Sequence, residues 1–284
     1  MSPSGASPPI VLVPVGSDEG ALDACLAALD AGTPAGTRVW LADNAQSGPR
    51  GGALIDGWLA RTRLQAAYTR RATPVSEAAH LDEALRACGK ANVAILSHDS
   101  RPLPGWLDAL SGCFEREALI ATATPWCNAG ETAAWPRVGD IELELPSPQR
   151  LADACRQLPA EAPGLPAAVA HAVLLRGDAC EAAGGLDAVS FRSWPVALAD
   201  LSLRLEGLGW RNVLCPSAFV LRDGESVPGN GDMDALAARW PNWNARIAGF
   251  LMDDPLRALR EQLSTVLAGD SRQSPQLDLF PGVA

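Results

Sequence analysis

The residues best placed to do chemistry stand at the ends of apolar runs. Val93-Ala-Ile-Leu-Ser-His-Asp-Ser-Arg-Pro-Leu-Pro-Gly-Trp106 passes from four apolar residues into a short polar cluster with one carboxylate, Asp99, and then into a proline turn. Ligands of open α/β sheets bind at the carboxyl ends of strands. A carboxylate there suits a metal ion or a polar substrate, and it serves equally as a turn residue. A second run, Val39-Trp-Leu-Ala, ends in Asp43-Asn44.

Those placements require strands and helices in alternation. Pro9 to Pro14 is apolar and β-branched, hence a buried strand. Gly16-Ser-Asp-Glu-Gly supplies a loop with a helix cap, and Ala21 to Leu29 is apolar at helical spacing. Strand, helix and strand with polar strand ends form a parallel unit with a right-handed crossover. The same reading continues with helices over 53–64, 76–88 and 104–114 and strands over 66–69 and 119–124. Pro125 to Pro166 breaks the alternation with many prolines and reads as a binding loop or lid. A strand is expected over 167–175, then a helix over 197–208, short strands at 212–215 and 218–221, and two helices within 233–267 broken near Pro255. Repeated alternation gives an α/β fold around a mostly parallel sheet.

Composition excludes several classes. The 284 residues carry a formal charge of −10, which argues against a general nucleic-acid-binding surface. No apolar run is long enough to span a bilayer, and Met1 to Pro9 lacks signal-peptide character. Seven scattered cysteines with no CxxC spacing support neither zinc nor a disulfide framework and fit a reduced, cytoplasmic protein. The first strand is not followed by GxGxxG, and no GxxxxGK[ST] loop occurs, so dinucleotide and P-loop chemistry are not indicated.

Several segments together resemble family 2 glycosyltransferases, in order and spacing, from about Ile10 to Leu263. Pro14-Val-Gly-Ser-Asp-Glu-Gly-Ala-Leu resembles the family's opening, and Leu41-Ala-Asp-Asn-Ala-Gln-Ser47 its second strand end. Leu96-Ser-His-Asp-Ser-Arg-Pro-Leu-Pro-Gly-Trp is similar to the metal-binding strand end. Thr122 to Asn128, Trp135-Pro-Arg, Gly184-Gly-Leu-Asp187 and Asp200-Leu-Ser-Leu-Arg with Gly209-Trp-Arg-Asn212 resemble the acceptor half. Trp240-Pro-Asn-Trp and Asp254-Pro-Leu256 resemble the closing helices of the polysaccharide and O-antigen subgroup.

The resemblance implies a single GT-A domain over 1–268, an α/β/α sandwich around a mostly parallel mixed sheet. A nucleotide-sugar half covers about 9–115 and an acceptor half about 116–268. It implies inverting transfer of a sugar from a nucleotide-diphosphate donor to a glycan or lipid-linked acceptor, and for the latter a place at the inner-membrane surface. Donor contacts are expected from Pro14, Asp18, Asp43, Ser97, Asp99 and Arg222, with Asp43 on the base. Asp99 would hold Mg or Mn at the diphosphate, as hard cations take carboxylate and phosphate oxygens.

Three departures stand out. Ser97 replaces an acidic or amide residue. Ala197-Leu198 falls where the family carries its acidic pair, leaving Asp200 as the nearest carboxylate on the acceptor side. Arg222 stands where relatives often place histidine, and a guanidinium can neutralise phosphate bidentately. His98 and His171 are candidate substitute bases because histidine titrates near neutrality; a packed core histidine is the plainer reading of His171, and His80 reads as an ordinary helix residue. Trp126 and Trp135 suit either a sugar platform or core packing. The competing reading is a catalytically silent GT-A domain that binds nucleotide, glycan or protein. The tail 269–284 reads as disordered. Within it, Gln276-Leu-Asp-Leu-Phe280 resembles the peptide that bacterial replication and repair proteins insert into the sliding clamp.

Overall fold

The computed structural model of the chain describes residues 8–130, 132–139, 142, 144–223 and 231–273. The first half alternates as its pattern requires: β1 (Ile10–Val15), α1 (Glu19–Gly32), β2 (Arg38–Asp43), α2 (Pro49–Leu59), β3 (Gln65–Arg70), α3 (Glu77–Ala87) and β4 (Val93–Leu96). The short β5 (Ser100–Pro102) then leads to α4 (Trp106–Arg116) and β6 (Ile120–Trp126). The second half runs α5 (Pro148–Arg156), β7 (Ala172–Leu175), α6 (Gly177–Ala182), α7 (Trp194–Gly207), β8 (Arg211–Arg222), α8 (Asp232–Arg239), α9 (Trp243–Asp253) and α10 (Arg257–Gln273).

The eight strands form one sheet in the order β3-β2-β1-β4-β7-β6-β8-β5. The pairs β1–β2, β2–β3, β1–β4 and β6–β8 are parallel, whereas β7 runs antiparallel between β4 and β6, and β5 antiparallel to β8. Strand periodicity of two divides β1 between two cores. Val11 and Val13 face α1, α2 and α4, while Leu12 faces α3, α7 and α8. Both faces of the sheet are therefore covered, the α/β/α sandwich expected. A third core, beyond β6 and β8, joins Trp126, Trp135 and Phe219 to α5 and α10.

The departures from expectation have local causes. The stretch 125–166 is no free lid: α5 begins after Ser147-Pro148, and its Leu151, Ala154 and Cys155 are fully buried. Its helical pattern was hidden among prolines, one of which sits at the helix start where a missing N–H costs nothing. The strand after Pro166 starts only at Ala172, and the two short strands after Arg211 are one strand of 12 residues carried through Pro216. Three helices, not two, close the described residues, the first two separated at Pro241. α10 continues through Gly269 to Gln273, past the point where the disordered tail was expected to begin. Gln276–Phe280 and the rest of that tail lie outside the described residues. Among the described residues, no helix is long and apolar enough to cross a membrane.

Candidate functional site

The carboxyl ends of β1, β2 and β4 meet the first turns of α3 and α7 around a cleft of about 360 Å³. From β1 and its loop come Pro14, Gly16 and Asp18, and from beyond β2 come Asn44 and Gln46. Glu77 and His80 enter from α3, Ser97, His98 and Asp99 from β4, and Trp194 and Pro195 from α7. Four of the expected donor residues, Pro14, Asp18, Ser97 and Asp99, thus line the cleft, whereas Asp43 and Arg222 do not. Asp18 also caps α1, accepting from the Ala21 N–H at 3.0 Å. Gly16 makes room for His98: a Cβ there would lie 2.0 Å from the imidazole Nε2.

Asp99 does not stand alone. Its Oδ2 accepts from Arg222 Nε at 3.1 Å, and the Arg222 side chain is only 8% exposed. Antiparallel pairing of β5 with β8 sets Ser100 opposite Arg222. Asn128 then fastens the strand end: its Oδ1 accepts from Arg222 N at 2.7 Å and its Nδ2 donates to Arg222 O at 2.9 Å. Burial works to raise the Asp99 pKa, but Arg222, the Ser97 hydroxyl and His98 outweigh it and hold the carboxyl below its ordinary range.

Asp43 is placed differently from the expectation. It is fully buried and turned into its own loop, accepting from Gln46 N at 2.7 Å, Tyr68 OH at 2.8 Å, and the backbone and hydroxyl of Ser47. Burial raises its pKa, yet these hydrogen bonds more than compensate and leave it lowered. A carboxylate so engaged shapes the β2–α2 turn and has no face toward the cleft. Asn44 is engaged likewise, exchanging two hydrogen bonds with the backbone of Val75.

The two catalytic candidates of the sequence also lie inside the protein. Asp200 is fully buried on α7, where it accepts from Arg204 Nε at 2.8 Å, Trp240 Nε1 at 2.9 Å and Arg239 at 3.1 Å. It joins α7 to α8 and, through Arg204, to the backbone of Ala183 and Gly185. His171 is likewise fully buried, with Nε2 3.2 Å from the Pro125 carbonyl oxygen. Burial, then Arg222, pushes its pKa down to about 3, so it is a neutral core histidine. Neither side chain borders the cleft. Ala197 and Leu198 are also sealed in the core. Trp126 is fully buried, and Trp135 is packed with its indole N–H on Arg260 O and Ser264 Oγ, so both are packing residues.

Sequence reading passed over Glu77, Gln46 and Trp194 as site residues, and took His80 for an ordinary helix position. The signal was present in part. Ser76 caps α3, accepting from Ala79 N, and residues three apart on a helix share a face, so Glu77 and His80 reach the cleft together. His80 Nε2 is buried there with no hydrogen-bond partner among the described residues.

No family model and no curated sequence matches the chain. Solved structures do. A mannosyltransferase from Pyrobaculum calidifontis, in complex with GDP-Man and Mn2+, superposes with a TM-score of 0.59 at 14% identity, over 95% of this chain and 77% of that one. GalNAc-T7 with UDP, GalNAc and Mn2+ gives 0.58 at 13%, over 90% and 54%. TarS from S. aureus, in complex with UDP-GlcNAc, gives 0.57 at 12%, over 85% and 71%. The chain has the GT-A fold. It spans about half the length of the GalNAc-T7 chain. Identities this low show GT-A architecture alone, so roles for its cleft residues rest on the geometry above.

Proposed function

We propose that this chain is a glycosyltransferase that takes its sugar from a nucleotide-diphosphate donor. The observation that carries the reading is the cleft itself: it opens at the carboxyl ends of β1 and β4, in a GT-A sheet, and is lined by Pro14, Asp18, Ser97 and Asp99 together with Trp194 and Pro195 at the start of α7. Fold alone does not assign chemistry; the polar strand-end cleft adds a site of the right kind.

In this reading the donor lies across the ends of β1 and β4, its diphosphate beside Asp99, whose carboxylate Arg222 holds. The acceptor, a glycan or a lipid-linked sugar, enters beside Trp194 and Pro195. The acceptor oxygen forms a bond to the anomeric carbon as the bond to phosphate breaks. The nucleoside diphosphate leaves, and the configuration is inverted. The hydroxyl proton must pass to a group bordering the cleft, an effect typically worth about 10²–10⁴-fold. Asp200 and His171 are out of reach; Glu77 and His98 border the cleft and can accept it.

The described residues do not fit a divalent ion well. Among them no group of three histidine, cysteine or acidic side chains is arranged to hold a metal. Asp99 is the one carboxylate at the strand end, and Arg222 already balances its charge.

The test is a panel of UDP-, GDP- and dTDP-sugars, with release of nucleoside diphosphate as readout. Turnover that disappears in Asp99→Asn is the expected result. Binding without turnover for every donor would make the chain a silent binding module, and neither binding nor turnover would refute the donor site. The proposed clamp contact of Gln276–Phe280 is separate: pull-down of a purified bacterial clamp should succeed with the full chain and fail after deletion of 274–284.

A further inference from the structure

We propose that the α3 wall of the cleft, Glu77 with His80, is a subsite for paired hydroxyls of a sugar ring, His80 donating and Glu77 accepting. This rests on the donor-site reading above and specifies which part of the donor that wall recognises.

Three observations carry it. First, His80 is a polar group kept without a partner. It is 8% exposed and lines the cleft. Its Nε2 is sealed and unpaired, whereas Nδ1 is not sealed and makes no hydrogen bond among the described residues. Orphaned buried N–H groups are rarer than orphaned acceptors. The ring proton therefore belongs on Nδ1, which makes the open side of the ring a hydrogen-bond donor.

Second, Glu77 complements it. Residues three apart on a helix share a face, and both residues line the same cleft. Glu77 is exposed, and among the described residues its carboxylate has neither an ion-pair nor a hydrogen-bond partner. A donor beside a carboxylate matches adjacent hydroxyls, each of which both gives and takes hydrogen bonds. It does not match a phosphate. The cleft lining contains no lysine or arginine among its described residues, so an anion at this wall would meet the charge of Glu77 uncompensated. At Asp99, by contrast, Arg222 balances the carboxylate.

Third, the wall is fixed before any ligand arrives. Asn44 exchanges two hydrogen bonds with the backbone of Val75, just ahead of α3. Ala78 N donates to Arg192 O at 2.9 Å, which ties the first turn of α3 to the chain leading into α7. His80 N in turn donates to Ser76 O at 3.0 Å. A preset wall lowers the entropy cost of binding. It also discriminates against analogues that lack the hydroxyls, because its own polar groups are then left unpaired. With Glu77 on a donor hydroxyl, His98 is the cleft group left to take the acceptor proton.

The hydroxyls can come from the ribose of the nucleotide or from the sugar it carries. The experiment is calorimetric titration of the full chain, in buffer with Mn2+, with UDP, GDP, UDP-glucose and GDP-mannose. His80→Phe keeps the ring and removes both nitrogens; Glu77→Gln removes the charge at an exposed position. Each should weaken binding of at least one probe by about fivefold, the worth of one hydrogen bond. Losses already present with UDP or GDP put the ribose at α3, and losses confined to the sugar-bearing probes put the sugar there. Circular dichroism checks folding; if His80→Phe does not fold, Glu77→Gln decides alone. Affinity for every probe unchanged within twofold in either folded variant overturns this inference and leaves the donor site intact. Tighter binding by Glu77→Gln also overturns it, because an anionic group then lies against the wall. Failure of all four probes to bind the wild type overturns the donor-site reading and this inference with it.

Discussion

His171 should make this fold acid-sensitive in a way that can be isolated. Its imidazole is fully buried, with a pKa pushed down to about 3 against 6.5 for the ordinary group. Between those values the unfolded chain binds a proton that the folded chain refuses. Stability is therefore intact above pH 6.5, falls as pH drops through the unfolded pKa, and levels off only below the folded one. The slope is about 1.4 kcal/mol per pH unit, so about 2 kcal/mol should be lost between pH 8 and pH 5. Replacing the ring by His171→Leu removes this term. It also strips the Pro125 carbonyl of its partner at 3.2 Å, which costs about 1–3 kcal/mol at pH 8. Urea unfolding, followed by tryptophan fluorescence, should show the variant less stable at pH 8 and the gap narrowing by about 2 kcal/mol at pH 5. Because every other titrating group is common to both proteins, the difference reports His171. A gap that stays constant with pH would refute the argument, because it would mean that His171 takes up its proton in the folded state.

Other perturbations test the site and its frame. Asp200→Ala leaves Arg204, Arg239 and Trp240 without their shared acceptor and should cost about 3–5 kcal/mol in chemical unfolding; lost turnover with unchanged stability would instead mark Asp200 as catalytic. Gly16→Ala forces the His98 ring aside. Only a movable side-chain end is displaced, so the melting temperature should hold while UDP or GDP affinity in calorimetry falls about fivefold, one hydrogen bond's worth. At Gly177 the added Cβ would meet the carbonyl oxygens of Lys90 and Ala91 at 2.4 Å. That backbone cannot step back, and Gly177→Ala should destabilise by about 1–3 kcal/mol in the same unfolding assay.

The first half of the chain was legible because its signals are local. Val11, Leu12 and Val13 alternate between two cores, and Asp18 and Ser76 cap the helices behind them. The position of Asp99 at a strand end followed from the same periodicity. Side-chain direction did not follow. Asp43 ends its strand as expected, yet Ser47 and Tyr68 draw its carboxylate inward, and no spacing rule encodes a partner 25 residues away. The Asp99–Arg222 contact spans 123 positions and exists because β5, a three-residue strand too short to show a pattern, pairs with the end of β8. α5 escaped notice for a related reason: its apolar stripe belongs to a third core made with α10, far along the chain.

The burial of Ala197 and Leu198 limits what a single substitution can install. Both side chains have no exposure and belong to the apolar cluster of Leu201, Leu205 and Phe191, so a carboxylate placed at either position would enter an apolar interior without a partner, at a cost of several kcal/mol. Bringing either position to the surface would need the helix to turn or withdraw, which the Asp200 junction with Arg204, Arg239 and Trp240 resists. The packing thus works as a lock: new chemistry on this frame has to be installed at side chains that already face the cleft.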